Sequence, residues 1–275
     1  MIDAHHHFWR YNRDEYDWIS DDMAALRRDF GPADLKKQID GAGVKGVVSV
    51  QARQSVQETR ELLWFAQQNE WILGVVGWVP LATHKIESVL SEFAGAEKLK
   101  AVRHVVQGET DGFLDGTAFN AGIARLADFG LVYDVLISER QLAEAIRFVD
   151  RHPNQLFVLD HIAKPCIKDD TLEPWKTRIG ELARRDNVWC KVSGMVTEAD
   201  WKEWTPDGLK PYFETVLQAF GPSRLMFGSD WPVCLVASEY GRWVDTVRAW
   251  AEPLSDAEKF NLFENVARHV YRLNS

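Results

Sequence analysis

Two histidines one residue apart, His5 and His7, stand near the start of the chain in Ile2-Asp3-Ala4-His5-His6-His7-Phe8-Trp9. On a β-strand, alternate side chains share a face, so His5 and His7 would point one way and His6 the other. Their Cα atoms would lie about 6.6 Å apart at a rise of about 3.3 Å per residue. Both imidazoles could then reach one metal ion through bonds of about 2.0–2.1 Å. The same pair could polarise a carbonyl and handle protons without a metal. Asp3 is expected on the same face, behind them.

Further chemistry-bearing residues close short apolar runs later in the chain. They are Gln51 and Arg53, Trp78, Arg103-His104, Tyr133-Asp134, Asp160-His161 with Lys164-Pro165, Lys191 with Ser193, and Ser229-Asp230-Trp231-Pro232. Asp230 could be a metal ligand, a general base or a helix cap. Arg103 and Lys191 could meet a substrate, or pair with Asp134 or Asp160 inside a core. Arg103 is expected inward and His104 outward. His6, His84, His152 and His269 lack such a setting and read as structural or surface residues.

The elements that must position these residues alternate regularly. Strands are expected over Met1–His5, Gly46–Gln51, Ile72–Val79, Leu99–His104, Leu131–Ile137, Leu156–Asp160, Val188–Val192 and Leu225–Gly228. Amphipathic segments lie between them. Leu142, Ala145, Ile146 and Val149 make one helical stripe, and Phe213, Val216, Leu217 and Phe220 another. Ser55–Glu58, Ser138–Gln141 and Ser255–Glu258 each fit a capping box. Arg151-His152-Pro153-Asn154 and Gly221-Pro222 read as helix stops.

Eight strand–helix units point to an α/β fold, a parallel sheet closed into a (β/α)8 TIM barrel, and residues 1–275 fit a single domain. An open doubly wound sheet is the alternative, but no Gly-x-Gly-x-x-Gly follows the first strand. In a barrel, chemistry sits at the C-terminal ends of the strands, where the polar residues above fall. Residues 8–31 would form a long first βα loop over that face. They carry Trp9, Tyr11, Tyr16 and Trp18.

Composition narrows the partners. The net charge of −9 argues against nucleic acid and anionic membranes, which call for a basic face. No apolar run is long enough to span a bilayer, and no signal peptide is evident. The 3 cysteines, Cys166, Cys190 and Cys234, are too widely spaced for a disulfide framework or a Cys-x-x-Cys zinc site, so a cytoplasmic home is expected. The 12 tryptophans exceed what a core alone suggests, and tryptophan often lines pockets for ligands with apolar faces.

Together these blocks resemble the amidohydrolase superfamily, and within it the branch of sugar lactonases that includes L-fuconolactone and L-rhamnonolactone hydrolases. The resemblance covers nearly the whole chain. Its carriers are Asp3 to Trp9, Val50-Gln51-Ala52-Arg53, Leu159-Asp160-His161 with Lys164-Pro165, Lys191-Val192-Ser193-Gly194, Val196 to Trp201, and Phe227 to Pro232. The last two blocks are the most specific to the branch. The resemblance implies an amidohydrolase barrel with His5 and His7 as first-strand ligands, His161 as the later histidine and Asp230 as the eighth-strand carboxylate. Two-metal members bridge their ions with a carboxylated lysine or a glutamate on the fourth or fifth strand. Here those strands offer Arg103-His104 and Tyr133-Asp134, so no binuclear centre is expected.

The implied reaction is hydrolysis of a sugar-acid lactone, a small-molecule substrate, to the free acid. Asp230 is expected to act as general base on water, with His5, His7 and His161 at the carbonyl. Substrate binding is expected from Trp9, Trp18, Gln51, Arg53, Trp78, Arg103, Lys164, Lys191 and Trp231. One divalent metal, Zn²⁺, loosely held by His5, His7 and Asp230, is the expected cofactor, and metal-independent catalysis the alternative. Competing functions are a pyrone or muconolactone-type lactonase, a metal-dependent decarboxylase of the same superfamily, and a non-catalytic sugar-binding barrel. A homo-oligomer is left open.

Overall fold

The computed structural model describes residues 1–274. Among them, eight parallel strands pair in sequence order: β1 (Ile2–His6), β2 (Gly46–Val50), β3 (Ile72–Gly77), β4 (Leu99–Val105), β5 (Val132–Leu136), β6 (Phe157–Leu159), β7 (Val188–Val192) and β8 (Leu225–Phe227). Each is followed by a helix: α1 (Pro32–Gly41), α2 (Val56–Gln68), α3 (Ile86–Glu92), α4 (Thr117–Leu126), α5 (Leu142–Arg151), α6 (Trp175–Leu182), α7 (Pro206–Phe220) and α8 (Tyr240–Trp250). The sheet closes on itself past the end of β8. His7 N donates to Trp231 O at 2.7 Å, and Asp230 N donates to His5 O at 2.8 Å. The expected barrel is therefore present. Its strands read as apolar runs because both faces are covered, one by the barrel interior and the other by helices.

The interior is layered. Ile2, Ala4, Val48, Val50, Val76 and Ala101 belong to an apolar inner layer, with Val266, Val270 and Tyr271 of the C-terminal segment packed into it. Above them lies a buried layer of charge. Lys191 Nζ meets Asp134 Oδ2 at 2.6 Å and Asp160 Oδ1 at 3.0 Å, Arg103 Nη1 meets Asp160 Oδ2 at 2.9 Å, and Tyr271 OH donates to Asp134 Oδ2 at 2.8 Å. Arg103 thus points inward, and His104 points outward onto Phe113 and Glu109.

Two local expectations need correction. Asp3 does not share a face with His5 and His7. β1 pairs Ile2 with Gly46, Asp3 with Val47 and His6 with Ser49, so a bulge inserts one residue into β1 between Asp3 and His6. Ala4 packs in the inner layer and His5 meets its charged residues, whereas Asp3 turns outward to accept a hydrogen bond from Tyr240 OH of α8 at 3.1 Å. The second correction concerns caps. The boxes at Ser138–Gln141 and Ser255–Glu258 close, with backbone N–H to side-chain oxygen distances of 3.1 and 2.8 Å. At Ser55–Glu58 only half of the box forms. Ser55 Oγ accepts from Gln57 N and Glu58 N, but the Glu58 carboxylate goes to Ala52 N and Arg53 N instead.

The charged layer makes a stability prediction. Burial holds the Asp134 carboxyl up at about 6 even with Lys191 beside it. Lys191→Met would leave that acid without its cation, at a cost of about 3–5 kcal/mol. The neutral acid becomes the favoured buried form, so the folded state binds a proton the unfolded chain has released. The loss is therefore larger at pH 8 than at pH 5. Urea midpoints at the two pH values test this, and a loss independent of pH would contradict it.

Candidate active site

Three strand ends bring four residues together above the charged layer. His5 and His7 leave β1 on one face. Asp230 follows β8 through Gly228-Ser229 and takes a left-handed backbone, φ 58°. A Cβ on Gly228 would stand 2.7 Å from His5 Cβ, so the glycine lets the two strand ends approach. After β6 the chain makes a left-handed turn, with φ of 52, 50, 62 and 48° at His161, Ile162, Ala163 and Lys164. Each such non-glycine residue costs roughly 1–2 kcal/mol. Specific bonds hold the turn: Lys164 N donates to His161 O at 2.8 Å and Trp175 Nε1 to Ile162 O at 2.7 Å. Local strain held in place by its surroundings is a common mark of a functional site.

The imidazoles and the carboxylate converge. His5 Nε2 and His7 Nε2 are 3.2 Å apart, and Asp230 Oδ1 lies 3.3 Å from His7 Nε2, 3.7 Å from His5 Nε2 and 3.8 Å from His161 Nε2. His7 Nδ1 lies 2.8 Å from Val50 O, and a carbonyl only accepts, so the proton is on Nδ1. His5 Nδ1 lies 3.3 Å from both Asp160 Oδ1 and Lys191 Nζ, so it faces an acceptor and a donor at once. The His7 Nε2 lone pair then points into the space beside Asp230, and His5 Nε2 faces the same space with Arg103 Nη1 3.3 Å away. Lone pairs and a carboxylate this close repel unless a proton or a cation lies between them, so the donor set fits a divalent ion. One ligand atom each from His5, His161 and Asp230 lie within 4.8 Å of one another, all buried, and His7 stands beside them.

Protonation follows from burial. Desolvation pushes His5 well below the ordinary imidazole range and His161 down to about 4. Burial alone would raise the Asp230 carboxyl, but His161, His7 and Lys164 around it outweigh that and hold it below its ordinary value. Near neutral pH the site is two neutral imidazoles, His5 and His161, around an ionised carboxylate.

The four residues form the floor of, or stand directly under, a cavity of about 530 Å³, within the range of small-molecule sites. Its walls include Trp18 and Met23 from residues 8–31, and Val105, Leu136 and Val233 from strand ends and loops. Arg53, Arg103 and Lys164 line it too, and each has a carboxylate partner. Arg53 Nη1 is 2.6 Å from Glu15 Oε1, Lys164 Nζ is 2.9 Å from Glu198 Oε1, and Arg103 pairs with Asp160.

Five residues expected at the substrate lie elsewhere. Lys191 is fully buried beneath His5, consumed by the two aspartates. Gln51 is also fully buried, its amide donating to Arg103 O at 3.3 Å. Trp231 packs against Phe8 and Phe30 in the core. Trp9 donates its indole N–H to Leu26 O and Arg28 O and stands edge-on to Trp18, supporting the tryptophan that does line the cavity. Trp78 Nε1 donates to His104 Nδ1 at 3.4 Å, on the outer side of β4. Conversely, Glu15 and Glu198 escaped the sequence reading as site residues, and Asp160 and Ser193 stood among the strand-end residues without a role at the histidines. Ser193 stood in the Lys191 to Gly194 block, and its use appears only with the left-handed turn, which brings His161 Nδ1 to 2.9 Å from its hydroxyl. Gly194, φ 64°, completes this seat, since a Cβ there would lie 2.5 Å from the same nitrogen.

Outer partners of ligating histidines typically carry 10–100-fold of metal affinity. Ser193→Ala should therefore weaken binding of a divalent ion by about that factor in a calorimetric titration, with unchanged circular dichroism. Gly194→Ala should weaken it further, because it displaces the His161 ring. Equal affinity in all three proteins would remove His161 from the ion site.

Comparison with known proteins identifies the family. A family model described as Amidohydrolase matches residues 2–273. Two proteins named L-fucono-1,5-lactonase are similar over 99% of this chain and 96% of their own lengths: that of Burkholderia multivorans at 40% identity and that of Burkholderia ambifaria at 35%. The crystal structure of a Burkholderia multivorans amidohydrolase with bound zinc has a TM-score of 0.96 and 40% identity, and 99% of each chain is covered. A match that runs from the first strand to the segment closing the barrel floor leaves no barrel element outside it, and this chain belongs to the amidohydrolase family.

Proposed function

We propose that the protein hydrolyses the lactone of a neutral sugar acid, with L-fucono-1,5-lactone the first substrate to test. The observation that carries this reading is the pairing of Arg53, Arg103 and Lys164 with Glu15, Asp160 and Glu198. A pyrone dicarboxylate would need unpaired cations, and breaking these pairs to obtain them leaves carboxylates stranded. A sugar hydroxyl both donates and accepts, and an ammonium or guanidinium beside a carboxylate serves both needs. Trp18 and the aliphatic wall suit the apolar face of the ring.

In this reading water attacks the lactone carbonyl carbon while the Asp230 carboxylate takes its proton. The ring C–O bond then breaks, and protonated Asp230 returns the proton to the departing alkoxide. The product acid ionises and releases one proton to solvent. Neutral His5 and His161 leave Asp230 as the site's ionised base. A divalent ion held by His5, His161 and Asp230 beside His7, Zn²⁺ in our reading, would supply Lewis acidity to the carbonyl. Catalysis without a metal is the alternative, and activity of chelator-treated, metal-free protein decides between them. Among the described residues no helix is long and apolar enough to cross a membrane. The free thiols of Cys190 and Cys234 are buried, and a reducing cytoplasm suits them.

Proton release from a panel of aldonolactones, with a pyrone dicarboxylate as comparator, tests the substrate class. Release of CO₂ from an aromatic acid would identify a decarboxylase instead, and ligand stabilisation without turnover a binding barrel. Asp230→Asn should lower kcat by about 10²–10⁴-fold, and a wild-type rate would exclude the general base. Because Asp230 is held below its ordinary value and His161 gains its proton near 4, kcat/KM should stay flat from pH 8 to about 5 and fall only below that. An acid limb between pH 6 and 7 would assign the base to another group.

A further inference from the structure

The wall formed by Arg53 and Glu15 hangs on a residue with no part in the proposed chemistry. Glu58 stands three residues after the α2 cap Ser55, where a glutamate ordinarily reaches back to the cap's N–H. Glu258 does so in the exposed box after Ser255. Glu58 instead turns inward and is 2% exposed. Its Oε2 accepts from Ala52 N at 3.0 Å and Arg53 N at 2.9 Å, and Tyr16 OH donates to Oε1 at 3.3 Å. Burial pushes the carboxyl up to about 7, so the inward position is held against both the local capping preference and the cost of desolvation.

These bonds close a ring of contacts around one side of the pocket. Two adjacent backbone N–H groups on one oxygen fix the chain direction at Ala52-Arg53, just past β2. The Arg53 guanidinium lies 5.7 Å from the centre of the Tyr16 ring and meets the carboxylate of Glu15, the neighbour of Tyr16 in the chain. Glu58 therefore touches the backbone that carries Arg53 and the side chain next to the partner of Arg53. We propose that Glu58 is a positioning residue that fastens residues 8–31 to the end of β2 and so sets the Arg53–Glu15 pair that receives substrate hydroxyls. The substrate part rests on the lactonase reading; the fastening does not.

Two independent measurements on Glu58→Ala and Glu58→Gln test this. With L-fucono-1,5-lactone, Glu58→Ala should raise KM about tenfold with kcat within about twofold, as expected for losing hydrogen bonds to a charged group. Glu58→Gln keeps an oxygen for both N–H groups and should return KM to within about threefold of wild type. Trypsin should cut Glu58→Ala at the exposed Arg10 or Arg13 about tenfold faster than wild type, because the loop has lost its fastening. Should Glu58→Ala fail to fold, Tyr16→Phe removes only the loop contact and should speed cleavage about threefold. Unchanged cleavage in the folded variants overturns the proposal, as does a fall in kcat at constant KM. A wild-type protein that hydrolyses no lactone would dispose of the activity, and the cleavage rates would still decide whether Glu58 is the fastening.

Discussion

Lys191 lies buried between Asp134 and Asp160, and the candidate active site stands on that contact. The three groups, with Arg103, fill the space beneath His5 with charge that is internally compensated. Compensation is what allows the layer to be buried at all, since an unpaired ion there would cost several kcal/mol. From this layer Asp160 and Lys191 face His5 Nδ1, while His5 Nε2 turns to His7 and Asp230 above. Tyr271 reaches the same layer from below and links it to the segment that closes the barrel floor.

Above that layer, precision comes from backbone that departs from regular structure. The bulge in β1 lets Asp3 tie β8 and α8 to the strand while His5 keeps the inner face, and Ser229 N donates to Asp3 Oδ1 at 2.8 Å. The left-handed turn swings His161 back over Ser193 and Gly194. Asp230 itself sits in the left-handed region. Each departure costs conformational energy, and each places one ring or carboxylate that a regular strand end would have aimed elsewhere.

The strands were readable from the sequence because burial on both faces leaves continuous apolar runs. The boundaries that moved have visible causes. The third run looked as if it continued to Val79, but β3 ends at Gly77, and Thr59 Oγ1 then binds both Trp78 N and Trp78 O at 2.8 Å. Polar residues at strand ends pointed to the face that carries the cavity because position in a barrel strand is a one-dimensional property. Of their partners, Asp134 and Asp160 were read as possible mates of Arg103 and Lys191, and the structure makes those pairs, whereas Glu15 and Glu198 were not readable. Whether Arg53, Arg103, Lys164 and Lys191 are free or paired depends on Glu15, Asp160, Glu198 and Asp134, which the fold brings in from other elements. Tryptophans misled for a related reason: an indole can be held as easily by main-chain carbonyls, as Trp9 is, as by a ligand. The bulge, the left-handed turn and the diverted Glu58 all break a local rule, and no local pattern announces a broken rule.

The paired cations of the pocket also bear on the end of a catalytic cycle. In the proposed reaction a neutral lactone enters and a carboxylate leaves. Asp230 is ionised again by then, Glu15 and Glu198 stand on the walls, and the nearby positive groups are already engaged. Among the cationic side chains of the pocket wall, the newly formed anion therefore finds none without a carboxylate partner. A pocket built this way gives up the long-range attraction that speeds the capture of charged substrates.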